Sequence, residues 1–180
     1  MLTITIPATE EFDEIKGEFV YSKEQTLQLE HSLLSISKWE SKWCKAFLDR
    51  HDKTAEEIID YIKCMTINKN VDDNVYGCLT QDNITAINDY IGAPMTATYF
   101  SANDNGKKSN ERITSELIYY WMIALNIPFE CQKWHINRLL TLIRVCNIKN
   151  QPPKKMSKRD IMSRNTQLNA ARRKQMNTKG

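Results

Sequence analysis

The chain opens with an alternation of hydrophobic and polar positions. Residues 2–6 read LTITI, and this period of two predicts a half-buried strand that ends before Pro7. Shorter runs at 19–21 (FVY) and 27–29 (LQL) predict two further strands. Because the connections between them are short and suit hairpins, we expect a small antiparallel sheet at the N-terminal end.

The pattern then changes to a helical period. Ile36, Trp39, Trp43 and Phe47 recur at intervals of three or four residues, which predicts an aromatic stripe on one helix face. Large aromatic side chains are most often buried, so we interpret the four tryptophans mainly as core, with an aromatic groove for a partner as the alternative. Residues 54–57 (TAEE) have the form of a capping box and predict a second helix that runs to Met65.

Two further segments follow before a polar stretch. Residues 80–90 predict a helix that Gly92 closes in the left-handed conformation. Residues 93–100 are consistent with an extended segment, and 101–109 with a solvated loop.

The most apolar region lies between residues 113 and 146. Residues 113–126 are apolar on nearly all sides of a helix, which predicts burial on most faces. Pro128 interrupts the pattern, and a second helix is predicted over 129–146. We expect the two helices to pack together as an αα-hairpin because the link between them is so short.

Charge divides the chain into an acidic body and a basic arm. Residues 151–180 carry nine basic side chains and one acidic one, whereas residues 1–150 carry 16 basic and 21 acidic ones. The break coincides with Pro152–Pro153, which stops any preceding helix. We therefore expect a body over 1–150 and an arm over 151–180. The arm has helix-forming residues but few large apolar ones, which predicts that it is frayed or disordered until it meets a partner.

Composition and motifs favour a soluble, non-secreted protein without an active site. No apolar run approaches the length that crosses a bilayer. The five cysteines form no close pair, which is typical of reduced thiols in a cytosol. Nucleotide-binding, serine hydrolase and zinc protease motifs are missing. We therefore predict no enzymatic activity, no cofactor and no metal site.

Three clusters contain residue types that occur in catalytic or metal sites. Cys131 and His135 lie four residues apart, the spacing of a thiol with its base or of a metal pair, but we favour simple helix packing because neither has an evident third partner. Glu30–His31 is interpreted as a polar turn or cap. The acidic residues between Glu56 and Asp60 are interpreted as a solvated face.

The basic arm is the strongest functional feature. One interpretation is nucleic-acid binding that depends on salt, although the arm has no aromatic residue for base stacking. A second is binding to an acidic protein surface, which includes the negative body of another copy, and a third is a solubilising tail. We rank the protein partner first because one chain carries both an acidic body and a basic arm.

Seven short stretches, spread over nearly the whole chain, together resemble a group of tailed-bacteriophage proteins, the tail assembly chaperones. The stretches are 29–33 (LEHSL), 37–42 (SKWESK), 116–122 (ELIYYWM), 126–132 (NIPFECQ), 134–139 (WHINRL), 153–157 (PKKMS) and 169–173 (NAARR). The elements predicted along the chain add up to an α+β fold that is mainly helical, with a small N-terminal antiparallel sheet and a basic C-terminal helical arm.

The same resemblance implies a non-catalytic role in the host cell cytoplasm. Tail assembly chaperones coat the tape-measure protein while tail-tube subunits polymerise around it, so these two phage proteins are the expected partners; self-association and nucleic acid are further possibilities, and no membrane is expected. The alternative is a structural virion component of the neck, baseplate or capsid lining whose arm anchors it to neighbouring subunits or nucleic acid. The residues predicted to bind the partner are Trp121, Trp134, Arg138, Lys154, Lys155, Arg172, Arg173 and Lys174.

Overall fold

A computed structural model describes residues 1–13, 18–49, 52–100, 111–151 and 157–178, with the backbone alone over 9–13 and 18–22. The chain divides into two compact units, Met1–Asn147 and Ile148–Gly180. The strands of the described residues are β1 (Leu2–Ile6), β2 (Thr9–Asp13), β3 (Glu18–Ser22) and β4 (Gln25–Leu29). The α-helices are α1 (Leu33–Trp43), α2 (Ala55–Met65), α3 (Gln81–Gly92), α4 (Ser115–Ala124), α5 (Ile136–Asn150) and α6 (Lys158–Met176). Two 3₁₀ helices lie over Asp73–Cys78 and Phe129–Lys133. The predicted class, a mainly helical α+β protein with N-terminal antiparallel strands and a C-terminal helix, is confirmed.

The N-terminal strands form two separate antiparallel ladders instead of one sheet. β1 pairs with β4, and β2 pairs with β3. The registers continue from Ile6 opposite Gln25 to Thr9 opposite Ser22, so the ladder is interrupted at Pro7. Proline has no N–H to donate to a ladder, which explains the interruption. The strand β2 was not predicted, because its sequence TEEFD lacks a hydrophobic alternation.

The buried core of the first unit combines one face of the β1–β4 ladder with α1, α2, α4 and the start of α5. Its fully buried side chains include Ile6, Leu27, Leu29, Leu33, Ile36, Trp39, Met65, Ile118, Met122, Ile136 and Leu139. The interpretation of the helical aromatic stripe as core is correct for Trp39, whose indole N–H also donates to the backbone carbonyl of Glu57 at 2.9 Å. The stripe itself is shorter than predicted: Cys44 takes a left-handed conformation and ends α1, so Phe47 reaches the core from the loop beyond.

Local capping signals place the helix starts. Ser32 caps α1, and the predicted capping box of α2 is present, with Thr54 Oγ1 accepting from the Glu57 N–H and Glu57 Oε2 accepting from the Thr54 N–H. The predicted role of Gly92 is wrong. Gly92 is the last residue of α3, and Ala93 leaves the helix with an extended backbone, the conformation favoured by the residue before a proline.

A buried carboxylate fixes the start of α4 against α1. Glu40 lies on α1, and its Oε1 accepts from the Phe47 N–H at 2.8 Å. Its Oε2 accepts from the Ser115 N–H at 2.7 Å. Ser115 is the first residue of α4, whose N–H groups have no partner within the helix. One side chain therefore satisfies two buried donors and joins three segments.

The predicted hairpin of the two apolar helices is wrong in two respects. The segment after Pro128 is first a 3₁₀ helix, and α5 begins only at Ile136, after an isolated bridge between Ser32 and His135. The closest helix packing of α4 is with α1. The tertiary pairing of His135 with the β4–α1 junction thus breaks the helix that the hydrophobic pattern predicts over 129–146. Residues 93–100 form no strand, and the predicted loop at 101–109 lies in 101–110, outside the described residues.

Candidate protein-binding surfaces

The second unit contains a basic helix with no buried side chain. α6 begins after the N-cap Ser157, whose hydroxyl accepts from the Asp160 N–H, and ends at Asn177 in the left-handed conformation. Every side chain of α6 is exposed, and the helix carries six basic residues and one acidic one. The prediction of a frayed or disordered arm is wrong for residues 158–176: the helix-forming composition and the two caps give a continuous helix.

The predicted basic contacts on this arm separate into two groups. Arg172, Arg173 and Lys174 lie together in the last two turns of α6 and are exposed. Their position at the C-terminal end of the helix suits cations, since the helix macrodipole is negative there. Lys154 and Lys155 lie outside the described residues.

Trp134 and Arg138 form a contact at the start of α5. The guanidinium carbon of Arg138 lies 4.0 Å from the centroid of the Trp134 ring, a cation–π geometry. Trp134 is half-buried and Arg138 is exposed. The exposed part of this contact is therefore the Arg138 guanidinium, and the partner-binding role of the two residues stays a prediction.

Trp121 is placed differently from the surface role predicted for it. It is half-buried on α4 and packs against the hydrophobic core. The exposed aromatic residue of this helix is its neighbour Tyr120, which is 63% exposed, together with Ile123, which is 61% exposed. The prediction that α4 is buried on most faces is therefore wrong. Sequence reasoning missed Tyr120 and Ile123, although Glu116, the one charged residue of α4, shares their side of the helix and marks the side that meets solvent.

The exposed residues on one side of α4 form a surface that we call the α4 face: Glu116, Tyr120 and Ile123, which are three or four residues apart and so share one side of the helix. Beyond the end of α4, Phe129 is 52% exposed. Its ring centroid lies 6.4 Å from that of Tyr119. An exposed aromatic ring therefore also lies just beyond the helix end. Exposed large apolar side chains that share a helix side are a feature of interaction sites.

The Cys131–His135 pair forms no reactive dyad. His135 Nε2 contacts the Tyr90 carbonyl oxygen at 3.0 Å, and His135 Nδ1 accepts from the Asn137 N–H at 3.3 Å. A carbonyl only accepts and a backbone N–H only donates, so the imidazole is neutral with its proton on Nε2. Both ring nitrogens are engaged away from the buried Cys131 thiol, and the packing interpretation is the one that the geometry supports.

Glu30 and His31 belong to a buried polar cluster that ties the chain together. His31 Nδ1 hydrogen-bonds the Tyr61 hydroxyl, and its ring centroid lies 5.0 Å from that of His135. Glu30 accepts from the Tyr90 hydroxyl at 2.6 Å and pairs with the N-terminal amine at 3.0 Å. Burial lowers the pKa of His31 to about 3, with the His135 imidazole adding to the shift. Burial also lowers the pKa of His135, against the opposing effect of the Tyr90 carbonyl.

The acidic residues of α2 are not the uniformly solvated face that was predicted. Glu57 is buried, at 1% exposure, and pairs with Lys45 while it closes the capping box. Asp60 accepts from Lys42 and from the Trp43 indole N–H. Lys42 and the Trp43 indole hold the pKa of Asp60 below its usual range, against the effect of burial. Only Glu56 fits the prediction.

Neither a metal-binding cluster nor a membrane-spanning helix occurs among the described residues. They contain no group of three or more His, Cys, Asp or Glu side chains arranged to hold a metal ion. No helix among them is both long enough and apolar enough to cross a membrane.

Comparison with known proteins gave no relative: no protein-family model, no curated protein and no solved structure matches this chain.

Proposed function

We propose that this chain is a non-catalytic assembly protein that binds phage structural proteins, the tape-measure protein and the tail-tube protein, while a tail is built. The observation that carries the proposal is α6, a capped basic helix with every side chain exposed. Isolated helices gain little from propensity alone, and most draw their stability from packing. A helix with this composition is therefore suited to binding a partner of opposite charge.

The first unit supplies apolar binding surface. The α4 face presents the Tyr120 ring to solvent beside Glu116, and at the start of α5 the exposed Arg138 guanidinium stacks on the half-buried Trp134 ring. Aromatic residues and arginine dominate the binding energy of many protein interfaces. A long helical partner with apolar and acidic stripes would thus find apolar cover on the first unit and cations on α6, which matches the role that the family resemblance implies.

Reversing the charge of the arm is expected to abolish partner capture without unfolding the protein. The variant Arg172→Glu, Arg173→Glu, Lys174→Glu changes three exposed side chains outside the first unit, so we expect the stability of that unit to be unchanged within about 0.5 kcal/mol. The new carboxylates oppose the macrodipole at the end of α6, so circular dichroism measures how much of that helix is retained. We expect at least a tenfold weaker affinity, since each exposed ion pair contributes up to about 1 kcal/mol. The measurement is co-purification of co-expressed tape-measure and tail-tube proteins, with the soluble fraction of the tape-measure protein as second readout.

A matched control makes the same charge change on the first unit. Lys23, Lys69 and Lys133 are exposed, and their replacement with Glu is expected to leave capture unaltered. Equal capture by the wild type and both triple variants, or an equal loss in both triple variants, would contradict the proposed role of the arm.

A further inference from the structure

Among the described residues, each unit has a helix side whose side chains are exposed. On α4 this is the α4 face, where an acidic residue, Glu116, stands one turn before Tyr120. On α6 the corresponding side contains Ile161, Leu168 and Arg172. Leu168 lies seven residues after Ile161 and Arg172 four after Leu168, so the three share one side of the helix. We call these three residues the α6 stripe.

We propose that the α6 stripe of one copy of this chain docks on the α4 face of a second copy, with the two helices antiparallel. When Leu168 lies opposite Tyr120, Arg172 lies opposite Glu116, because Arg172 is four residues further along α6 and Glu116 is four residues earlier on α4. Both steps cover about 6 Å of helix axis. The same alignment places Ile161 past the end of α4 at Ala124, and Phe129, which follows α4 in the chain, is exposed.

Charge selects this pairing over the symmetric ones. Residues 111–130 carry three acidic side chains and one basic one, whereas α6 carries six basic and one acidic. Two α4 faces brought together would bring their Glu116 carboxylates close, and two α6 helices would oppose two sets of cations. Opposite charges favour the mixed contact and like charges disfavour both alternatives.

The contact is head-to-tail, so each copy offers one stripe and one face. Such heterologous contacts grow into rings when the geometry closes and into open chains when it does not. The purified chain is therefore expected to associate beyond the dimer as its concentration rises, and to dissociate in high salt. This inference does not rest on the proposed function, because no phage protein is required for it.

Complementation between two blocked variants tests the proposal. The face-blocked variant is Tyr120→Gln, Ile123→Gln, and the arm-blocked variant is Leu168→Glu, Arg172→Glu; all four positions are exposed, and the two sets of substitutions do not attract each other. Light scattering coupled to gel filtration on the full chain is expected to show oligomers for the wild type and monomers for each variant alone. Their mixture is expected to give a species of twice the 21.0 kDa chain mass and nothing larger, since only one productive contact is left.

Three results would overturn the inference. A wild type that stays monomeric at all concentrations excludes the contact between copies. If its arm is also protected from proteolysis, the arm docks on its own chain. Blocked variants that associate as strongly as the wild type place the interface elsewhere. A mixture that fails to form the dimer shows that the stripe and the face do not bind each other. Circular dichroism of each variant, expected to match the wild type, serves as the folding control.

Discussion

Replacing Glu40 with Gln is expected to lower the free energy of unfolding by about 3 kcal/mol. The Glu40 carboxylate is buried and accepts one hydrogen bond from Phe47 and one from Ser115. A carboxamide has one oxygen and one NH₂ group, so in either orientation it turns a donor towards one of the two backbone donors. One buried N–H then loses its partner, and the charge that strengthened both bonds is removed.

Urea unfolding followed by tryptophan fluorescence measures this change. All four tryptophans lie in Met1–Asn147, so the signal reports the unit that contains Glu40. The control is Glu24→Gln, the same chemical change at an exposed position, for which we expect a shift within about 0.5 kcal/mol. Equal midpoints for Glu40→Gln and the wild type would show that Glu40 does not hold α4 in place.

Acidification from pH 7 to pH 5 is expected to lower the free energy of unfolding of the first unit by about 2 kcal/mol through His31. Burial lowers the folded-state pKa of His31 to about 3, whereas in the unfolded chain it stays near 6.5. Between these values the unfolded chain binds more protons than the folded one, so stability is present above pH 6.5 and is lost as the pH falls. His135, whose pKa is also lowered, acts in the same direction.

The variant His31→Gln separates this effect from general acid sensitivity. It cannot take up a proton at this position, and its amide still offers a hydrogen-bonding group to the Tyr61 hydroxyl. We expect a lower stability at pH 7 but a clearly smaller difference between pH 7 and pH 5 than in the wild type. Parallel pH dependences in the two proteins would assign the acid sensitivity to other groups.

Features set by near neighbours in the sequence were predictable. The capping box at Thr54–Glu57, the alternation over 2–6 and the break in charge before the arm each depend on a few adjacent residues, and the first two have the predicted form. Short-range hydrogen bonds and periodicity act before any tertiary contact is made, which is why they can be recognised without a structure.

Features that depend on distant contacts were not predictable. The bridge between Ser32 and His135, about a hundred residues apart, decides where α5 begins, and no local signal announces it. The exposed side of α4 depends on which side packs against α1, and Glu116 is the one charged residue of the helix that marks it in the sequence. The roles of the Glu30–His31 and Cys131–His135 pairs likewise depend on partners from other elements. The Tyr61 hydroxyl bonds His31, and Tyr90 bonds Glu30 through its hydroxyl and His135 through its carbonyl.

The proposal that the chain assists tail assembly is tested most directly by counting its copies in finished particles. Quantitative mass spectrometry of purified virions beside infected-cell lysate gives that count. We expect a protein that is abundant in the lysate and absent from the particles, since an assembly chaperone leaves its partners when the tail is complete. A fixed number of copies in every particle would contradict this account and assign the chain to the structural components of the virion, with its basic helix as an anchor.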